Sequence, residues 1–177
     1  MVIVEYNPEW TAWFRQIKSF LLPHLPQALA IEHVGSTSIP GMSAKLVIDI
    51  DVVIADYDEF NYTKNALERI GYLHVGDQGI FQREAFKRQP DPPEPSILDE
   101  IPHHLYVCAR DNPEFQRHIL FRDYLRRHPE AVATYRQVKQ EILEKVGLEN
   151  RQGYVDMKEE QYGWFFAEII QKSKEEN

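Results

Sequence analysis

The chain has 177 residues, of which 43% are apolar and 12% aromatic, enough for a packed core and unlike a disordered composition. Its formal net charge of −8 argues against broad nucleic-acid binding, and no apolar run approaches the roughly 20 residues that span a bilayer. Acidic residues where a basic segment would stand argue against an N-terminal signal peptide. The single cysteine, Cys108, excludes an internal disulfide, which suits a cytoplasmic protein without a membrane partner.

The predicted elements mix helices and strands in the first part of the chain. Apolar residues at helical spacing predict a first helix from Asn7-Pro8-Glu9 to about Leu22. An extended piece at 31–34 and a loop at 35–43 precede the strongest strand, at 45–54, whose side chains alternate between two faces. The later elements are a helix over 56–71, strands at 72–75, 80–86 and 103–109 with a proline-rich loop at 90–102, and helices that begin at Asn112-Pro113, Pro129 and about Gly153.

This order of elements predicts an α+β protein of one domain, residues 1–177. Residues 1–109 would form a mixed sheet with flanking helices, and residues 110–177 a helical segment packed on it. The first part holds 8 Lys and Arg against 15 Asp and Glu, a net of −7, and the second holds 12 against 13, a net of −1. A basic excess at 115–139 either binds a small polyanion or forms a solvated helix face.

Two aspartates one residue apart, Asp49 and Asp51, carry the strongest functional signal. They share a face of the predicted strand with Lys45, among residues that are otherwise apolar. A buried carboxylate is costly unless it is paired, hydrogen-bonded or bound to a metal, and two neighbouring carboxylates repel each other. Carboxylate oxygens suit Mg²⁺ (or Mn²⁺), which also binds substrate phosphates. The pattern predicts a divalent-cation site, and the alternative is a strand end whose carboxylates reach water.

The loop before this strand contains Gly35-Ser36-Thr37-Ser38. Glycine lets a backbone approach phosphate closely, and small hydroxyl side chains and free amides donate hydrogen bonds to its oxygens. The same residue types also form ordinary turns, so the loop alone is a weak signal. Val34-Gly35-Ser36, a gap of twelve residues, and Asp49-Ile50-Asp51-Val52 together resemble the nucleotidyltransferase superfamily motif.

A longer part of the chain resembles the GrpB family, some members of which are fused to bacterial dephospho-CoA kinases. The similarity covers about residues 5–170 and includes the stretch 33–41, Lys45 and Asp49-Ile50. Further matching positions are Arg122, Arg126, Tyr135, Lys139, Tyr154 and Lys158. The resemblance implies a nucleotidyltransferase-like mixed β-sheet, and the fusions suggest association with another enzyme.

The resemblance also implies roles for individual residues. Asp49 and Asp51 would be catalytic and would hold the metal. The residues that would bind nucleotide phosphates are Gly35, Ser36, Thr37, Ser38, Lys45, Arg122, Arg126 and Lys139. A salt bridge to one of the aspartates remains the alternative for Lys45.

One feature departs from the superfamily pattern. Active members usually add a third carboxylate from a later strand, and the predicted strand at 103–109 offers none. Glu84, His104 or Tyr106 would have to take its place. Of these, histidine can act as a base at neutral pH.

The resemblance and the residues together support two hypotheses of function. In the first, the protein is a metal-dependent nucleotidyltransferase that transfers a nucleotidyl group from an NTP to an unknown acceptor. In the second, it is a catalytically weak or inactive nucleotide-binding module, acting as a sensor or as a partner of another enzyme. The Asp49/Asp51 pair favours the first, and the missing third carboxylate favours the second.

Overall fold

The computed structural model describes residues 3–147 and 150–176 and, at Arg151, the backbone alone. A five-stranded sheet has the strand order β1-β2-β5-β4-β3. β2 and β5 run parallel, and the other neighbouring pairs are antiparallel. The strands are β1 Ala30–Val34, β2 Ile48–Ile54, β3 Tyr72–His74, β4 Arg83–Arg88 and β5 His103–Ala109.

Helices flank this sheet and make up the C-terminal part of the described chain. They are α1 Glu9–Leu21, α2 Phe60–Arg69, α3 Ile97–Glu100, α4 Pro113–Arg127, α5 Pro129–Val146 and α6 Arg151–Glu175. The α+β prediction is confirmed by this arrangement of a mixed sheet with helices. Among the described residues, every helix is too short or too polar to cross a bilayer.

β2, the strand that carries Asp49 and Asp51, is shorter than the predicted strand at 45–54. β2 begins at Ile48 because the backbone N–H of Val47 donates to the carbonyl of Lys45 at 2.8 Å, closing a tight turn. Lys45 therefore lies in the loop before the strand, next to an isolated bridge between Val4 and Ala44. β4 begins at Arg83 and not at 80, because Gln82 has a φ of 56°, outside the extended region.

The two faces of the sheet are covered differently. On one face, α1, α2 and α3 bury a continuous apolar core with the strands, including Trp10, Leu67 and Leu98 against Ile50 and Leu105. A second core joins α4, α5 and α6 to the loop residues Ile39 and Met42. The C-terminal helices thus pack on the loop around Gly35 and leave space over the second face of the sheet.

A side-chain cap fixes the position of α4 above that second face. The Asn112 side-chain carbonyl accepts hydrogen bonds from the backbone N–H groups of Glu114 and Phe115, and Pro113 occupies the first turn. The amide nitrogen of Asn112 donates to the carbonyls of Phe81 and Gln82, both at 3.1 Å. The start of the helix is therefore attached to the turn before β4.

Candidate functional site

A cleft lies between the second face of the sheet and α4, α5 and α6. Its inner lobe, under α4, has a volume of about 280 Å³ and is lined by Arg83, Tyr106, Glu114, His118, Phe121 and Phe166, among others. Its lysine lobe has a volume of about 240 Å³ and is lined by Lys45, Lys139, Lys158, His104 and Tyr154, among others. The two lobes share Ser36, Asp49, Tyr135 and Lys158.

The strand register places the two aspartates and their neighbours on the cleft face. Asp49 lies opposite His104 on β5, and Asp51 lies opposite Tyr106. Side chains of paired residues point to the same side of a sheet. Of the residues considered for the third-carboxylate position, His104 and Tyr106 therefore share a face with the aspartates.

Glu84 lies on the opposite face of the sheet and is not brought to the cleft. On β4 it pairs with Val107, whose side chain belongs to the core under α1 and α2. Its carboxylate accepts a hydrogen bond from Tyr57 Oη at 2.6 Å and lies 2.6 Å from His74 Nε2. These contacts explain its burial and give it a structural role, because strand alternation sends alternate residues of β4 to opposite faces.

Gly35 and Asp49 are brought into direct contact, as the motif predicts. Gly35 has a φ of +70°, in the region where side chains are strained, and it precedes the short turn Ser36–Ser38. A Cβ atom at Gly35 would lie 2.3 Å from Asp49 Oδ2 and 3.1 Å from Asp49 Cβ. Only glycine fits between this backbone bend and the carboxylate.

The hydroxyl groups of the loop have different uses. Ser38 Oγ donates to the carbonyl of Gly35 at 2.6 Å, and Thr37 Oγ1 lies 3.0 Å from His33 Nε2. Both side chains are buried and hold the shape of the loop, although Thr37 also lines the lysine lobe, and phosphate binding by either residue stays a prediction. Burial and nearby Arg126 lower the pKa of His33 to about 4, so its ring is neutral at pH 7. Ser36 is the hydroxyl residue of this turn that lines both lobes.

Lys139 reaches the same serine from α5. Its Nζ donates to Ser36 Oγ at 3.0 Å and to the carbonyl of Ser43 at 2.8 Å, and the side chain is buried. Lys158 on α6 lies with its Nζ 4.7 Å from the centre of the Phe166 ring. Among the described residues, neither Lys139 nor Lys158 forms an ion pair with a carboxylate. Burial, and next the charge of Lys158, lower the pKa of Lys139 to about 8.

Arg122 and Arg126, expected to bind phosphate, contact protein groups. Arg122 Nη1 donates to Glu32 Oε2 at 2.6 Å and to the carbonyl of His33 at 3.1 Å, and its Nε donates to Asp123 at 2.7 Å. Arg126 Nε donates to the carbonyl of Ser38 at 2.9 Å. These arginines attach α4 to β1 and to the loop, and Arg122 also lines the inner lobe, so phosphate binding by either arginine stays a prediction.

Asp51 has a partner that the sequence analysis missed. Its side chain is 1% exposed, and its Oδ2 accepts a hydrogen bond from His118 Nδ1 at 2.7 Å. The other ring nitrogen of His118 lies 3.5 Å from Glu114, one helical turn earlier on α4. Burial opposes the charge on His118, but hydrogen bonds to Asp51 and then to Glu114 raise its pKa to about 9. The hydrogen bond from His118, and secondarily Arg117, lower the pKa of Glu114 to about 2 despite burial.

Asp49 is more accessible than Asp51 and has a different histidine partner. Its side chain is 34% exposed, and its Oδ1 accepts a hydrogen bond from His104 Nδ1 at 2.9 Å. Asp51 Oδ1, in contrast, is buried and has no hydrogen-bond partner among the described residues. The two carboxylates on one strand face thus differ in exposure and in electrostatic compensation.

The side chains available as metal ligands determine how a divalent cation would bind in this cleft. Among the described residues, no group of three or more His, Cys, Asp or Glu side chains is arranged to hold a metal. Mg²⁺ is usually held by one or two carboxylates with waters and substrate phosphates completing its octahedron. Asp49, partly exposed where the two lobes join, fits a cation that arrives with phosphates. A preformed metal centre does not fit.

Comparison with known proteins shows the family. Residues 1–172 match the family described as "GrpB protein". The chain is 33% identical over 141 residues to the UPF0157 protein YqkA of Bacillus subtilis, which covers 79% of this chain and 39% of that longer protein. It is 34% identical over 147 residues to the UPF0157 protein BH1888 of Halalkalibacterium halodurans, over 81% of this chain and 70% of that protein. A crystal structure of the conserved protein GrpB from Enterococcus faecalis superposes with a TM-score of 0.77 and 29% identity, over 97% of this chain and 98% of that one. The chain belongs to the GrpB family.

Proposed function

We propose that this chain binds a nucleoside triphosphate together with Mg²⁺ (or Mn²⁺), as a protein of nucleotidyltransferase type. The observation that carries the proposal is the contact of Lys139 Nζ with Ser36 Oγ at 3.0 Å, in a lobe that adjoins Asp49. A buried ammonium group without a carboxylate partner is costly unless a ligand supplies the negative charge. The phosphates of an NTP supply that charge.

The charges of the lysine lobe support a polyphosphate ligand. Lys45, Lys139 and Lys158 line it, whereas Asp49 is its single carboxylate among the described residues. Burial and then the charge of Lys158 lower the pKa of Lys139, and burial, with a smaller effect of Arg117, lowers the pKa of Lys158. An anion bound between them would reverse this shift and would be held by charge-assisted hydrogen bonds.

The arrangement of the lobes supports an orientation for the nucleotide. The β- and γ-phosphates would lie in the lysine lobe beside Ser36, and the α-phosphate at the junction beside Asp49. The inner lobe, with Tyr106, Phe121 and Phe166 on its walls, would take the nucleoside or the acceptor. Asp49 would hold the divalent cation, which when bound neutralises charge on the α-phosphate and on the pyrophosphate leaving group.

Titration calorimetry with each of the four common NTPs, with and without Mg²⁺, tests the binding. We expect Mg²⁺-dependent binding in the wild-type protein and a loss of roughly 10- to 100-fold in affinity for Lys139→Met, because a hydrogen bond to a charged group contributes about 1.5–3 kcal/mol. Lys145→Met is the matched control, since Lys145 lies on the same helix, is exposed and lines neither lobe. Equal NTP affinity in the two variants would remove the proposed phosphate site.

Nucleotidyl transfer is the second candidate function, and the His104–Asp49 contact favours it. An imidazole that donates from Nδ1 to a carboxylate keeps Nε2 as its basic nitrogen, and the His104 side chain is 48% exposed. An acceptor hydroxyl would lose its proton to Nε2 while its oxygen bonds to the α-phosphorus, and the bond to the departing pyrophosphate would break. Positioning and charge stabilisation would supply most of the acceleration.

Release of pyrophosphate from labelled NTP in the presence of pooled cell extract separates the two functions. The extract provides the unknown acceptor, and Asp49→Asn is the diagnostic variant. Acceptor-dependent release that disappears in this variant would establish transfer. Nucleotide binding without release, across all four NTPs, would leave the binding function alone.

A further inference from the structure

His118 on α4 contacts the buried carboxylate of Asp51. Asp51 is the more buried of the two motif aspartates, and its Oδ2 lies 2.7 Å from His118 Nδ1. Taking an ionised carboxylate this far out of water requires a compensating cation. Among the described residues, the group that compensates Asp51 directly is an imidazole from α4.

The geometry of the imidazole defines its charge. Nδ1 of His118 faces Asp51 at 2.7 Å, and Nε2 faces Glu114 at 3.5 Å. A carboxylate at hydrogen-bond distance from Nδ1 and a second carboxylate 3.5 Å from Nε2 both favour the imidazolium, which carries an N–H on each nitrogen. Since Glu114 and His118 are one turn apart on a helix anchored by the Asn112 cap, the position of the ring over β2 is fixed by the fold.

We propose that the imidazolium of His118 takes the place of a second divalent cation: it neutralises Asp51 and limits the cleft to one metal ion, bound through Asp49 and the nucleotide. The part of this inference that concerns the nucleotide rests on the proposed function. It makes the two aspartates of the motif unequal. Asp49 contacts the metal, whereas Asp51 is a positioning residue that acts through His118.

The metal stoichiometry tests the proposal directly. The probe is Mn²⁺, titrated into the full chain and followed by the loss of its free electron paramagnetic resonance signal, with and without a non-hydrolysable NTP. We expect one Mn²⁺ per wild-type chain when nucleotide is present. A second Mn²⁺ in the wild-type protein would overturn the proposal, whatever any variant does.

Removal of the histidine charge should open the second position. In His118→Gln, Asp49, Asp51 and Glu114 face the cleft without the imidazolium, so we expect Mn²⁺ to bind at least about tenfold more tightly than to wild type even without nucleotide. Adding Asp51→Asn to His118→Gln should remove this gain. His128→Gln is the matched control: the same replacement at the end of the same helix, where the ring contacts Glu130 and Glu176 outside the cleft.

Each outcome decides the proposal. If His118→Gln gains no Mn²⁺ affinity, or gains it also in the Asp51→Asn background, His118 does not substitute for a metal. If His118→Gln fails to fold, the variants Asp49→Asn and Asp51→Asn test the proposal instead. Nucleotide-dependent Mn²⁺ affinity should fall at least tenfold in Asp49→Asn and about twofold or less in Asp51→Asn. An equal loss in both would overturn the inference. Failure of the wild-type protein to bind any NTP would instead remove the proposed function, and the nucleotide-free comparison would still test His118.

Discussion

Replacement of Gly35 by alanine tests whether the contact between the loop and Asp49 matters for both folding and binding. The added Cβ would lie 2.3 Å from Asp49 Oδ2, closer than real Cβ contacts come, and a tight 3.0 Å from Asp49 Cγ. The carboxylate could escape only by turning away, which would break its 2.9 Å hydrogen bond with His104. The substitution therefore changes the direction of the partly exposed Asp49 carboxylate at the junction of the lobes.

The magnitude has a backbone part and a steric part. At φ +70° and ψ −174° Gly35 lies in a region that is essentially restricted to glycine, where a side chain costs roughly 1–3 kcal/mol in the free energy of unfolding. Gly41 also has a positive φ, +78°, and no atom lies within 4 Å of its Cβ position, so Gly41→Ala is a control for a side chain at positive φ without a steric clash. We expect Gly35→Ala to destabilise the fold by about 1 kcal/mol more than Gly41→Ala, the typical cost of a lost hydrogen bond.

Urea unfolding and calorimetry together measure the two consequences. The free energy of unfolding gives the steric part as the difference between the alanine variants, provided that the dependence on urea concentration is unchanged. Nucleotide affinity in the presence of Mg²⁺ should fall about tenfold or more in Gly35→Ala, one lost charge-assisted contact, and stay near wild type in Gly41→Ala. Equal stability and equal affinity in the two variants would refute the argument that Gly35 is needed because of Asp49.

Three further predictions follow from the contacts of other residues. NTP affinity should be highest below pH 8, where the Lys139 side chain, which faces Lys45, Lys158 and Asp49, is charged in the free protein. It should fall as the pH rises from about 8 towards the higher pKa that Lys139 has in the complex, because the free protein then holds this side chain as the neutral amine. Calorimetry at pH 7 and pH 9 should show a smaller fall in affinity for Lys139→Arg, since arginine stays charged. Glu84→Gln should reduce the free energy of unfolding by about 1–3 kcal/mol, because it weakens the contacts of Glu84 with Tyr57 and His74, and NTP affinity should stay at the wild-type value. A loss of NTP affinity without a loss of stability would show that Glu84 belongs to the nucleotide site. Arg122→Met should destabilise the fold by about 3 kcal/mol in urea unfolding, because Glu32 and the carbonyl of His33 lose a buried partner, and a change below about 0.5 kcal/mol would show that this ion pair is not structural.

The local part of the site could be predicted because it depends on strand geometry. Alternation along a strand has a period of two, so Asp49 and Asp51 share a face wherever β2 begins, and the register with His104 and Tyr106 confirms it. The cap at Asn112 could be predicted for a similar reason, since its hydrogen bonds join residues two and three positions apart. Local rules hold when the partners are neighbours along the chain.

The long-range part could not be predicted, because no local rule relates the register of a helix to that of a sheet. His118 and Asp51 are separated by 67 positions, and Arg122 and Glu32 by 90. The spacing of Glu114, His118 and Arg122, four residues apart, was visible as one face of a helix. It does not say that this face covers Asp51 or that Arg122 contacts Glu32 of β1, and phosphate binding by Arg122, which lines the inner lobe, stays a prediction.

The charges of the cleft explain why an acidic chain can take an anionic ligand. The net charge of −8 belongs to the whole chain, whereas the two lobes of the cleft differ in their local charge. In the inner lobe, His118 already compensates the negative charges of Asp51 and Glu114, so a metal ion without nucleotide binds only weakly there. In the lysine lobe, Lys139 has hydroxyl and carbonyl partners but no carboxylate partner among the described residues, so binding of an anion is more favourable there than in the inner lobe. Because the missing charge is negative, phosphates should bind first and bring the divalent cation to Asp49, and by linkage nucleotide and metal should raise each other's affinity by the same factor.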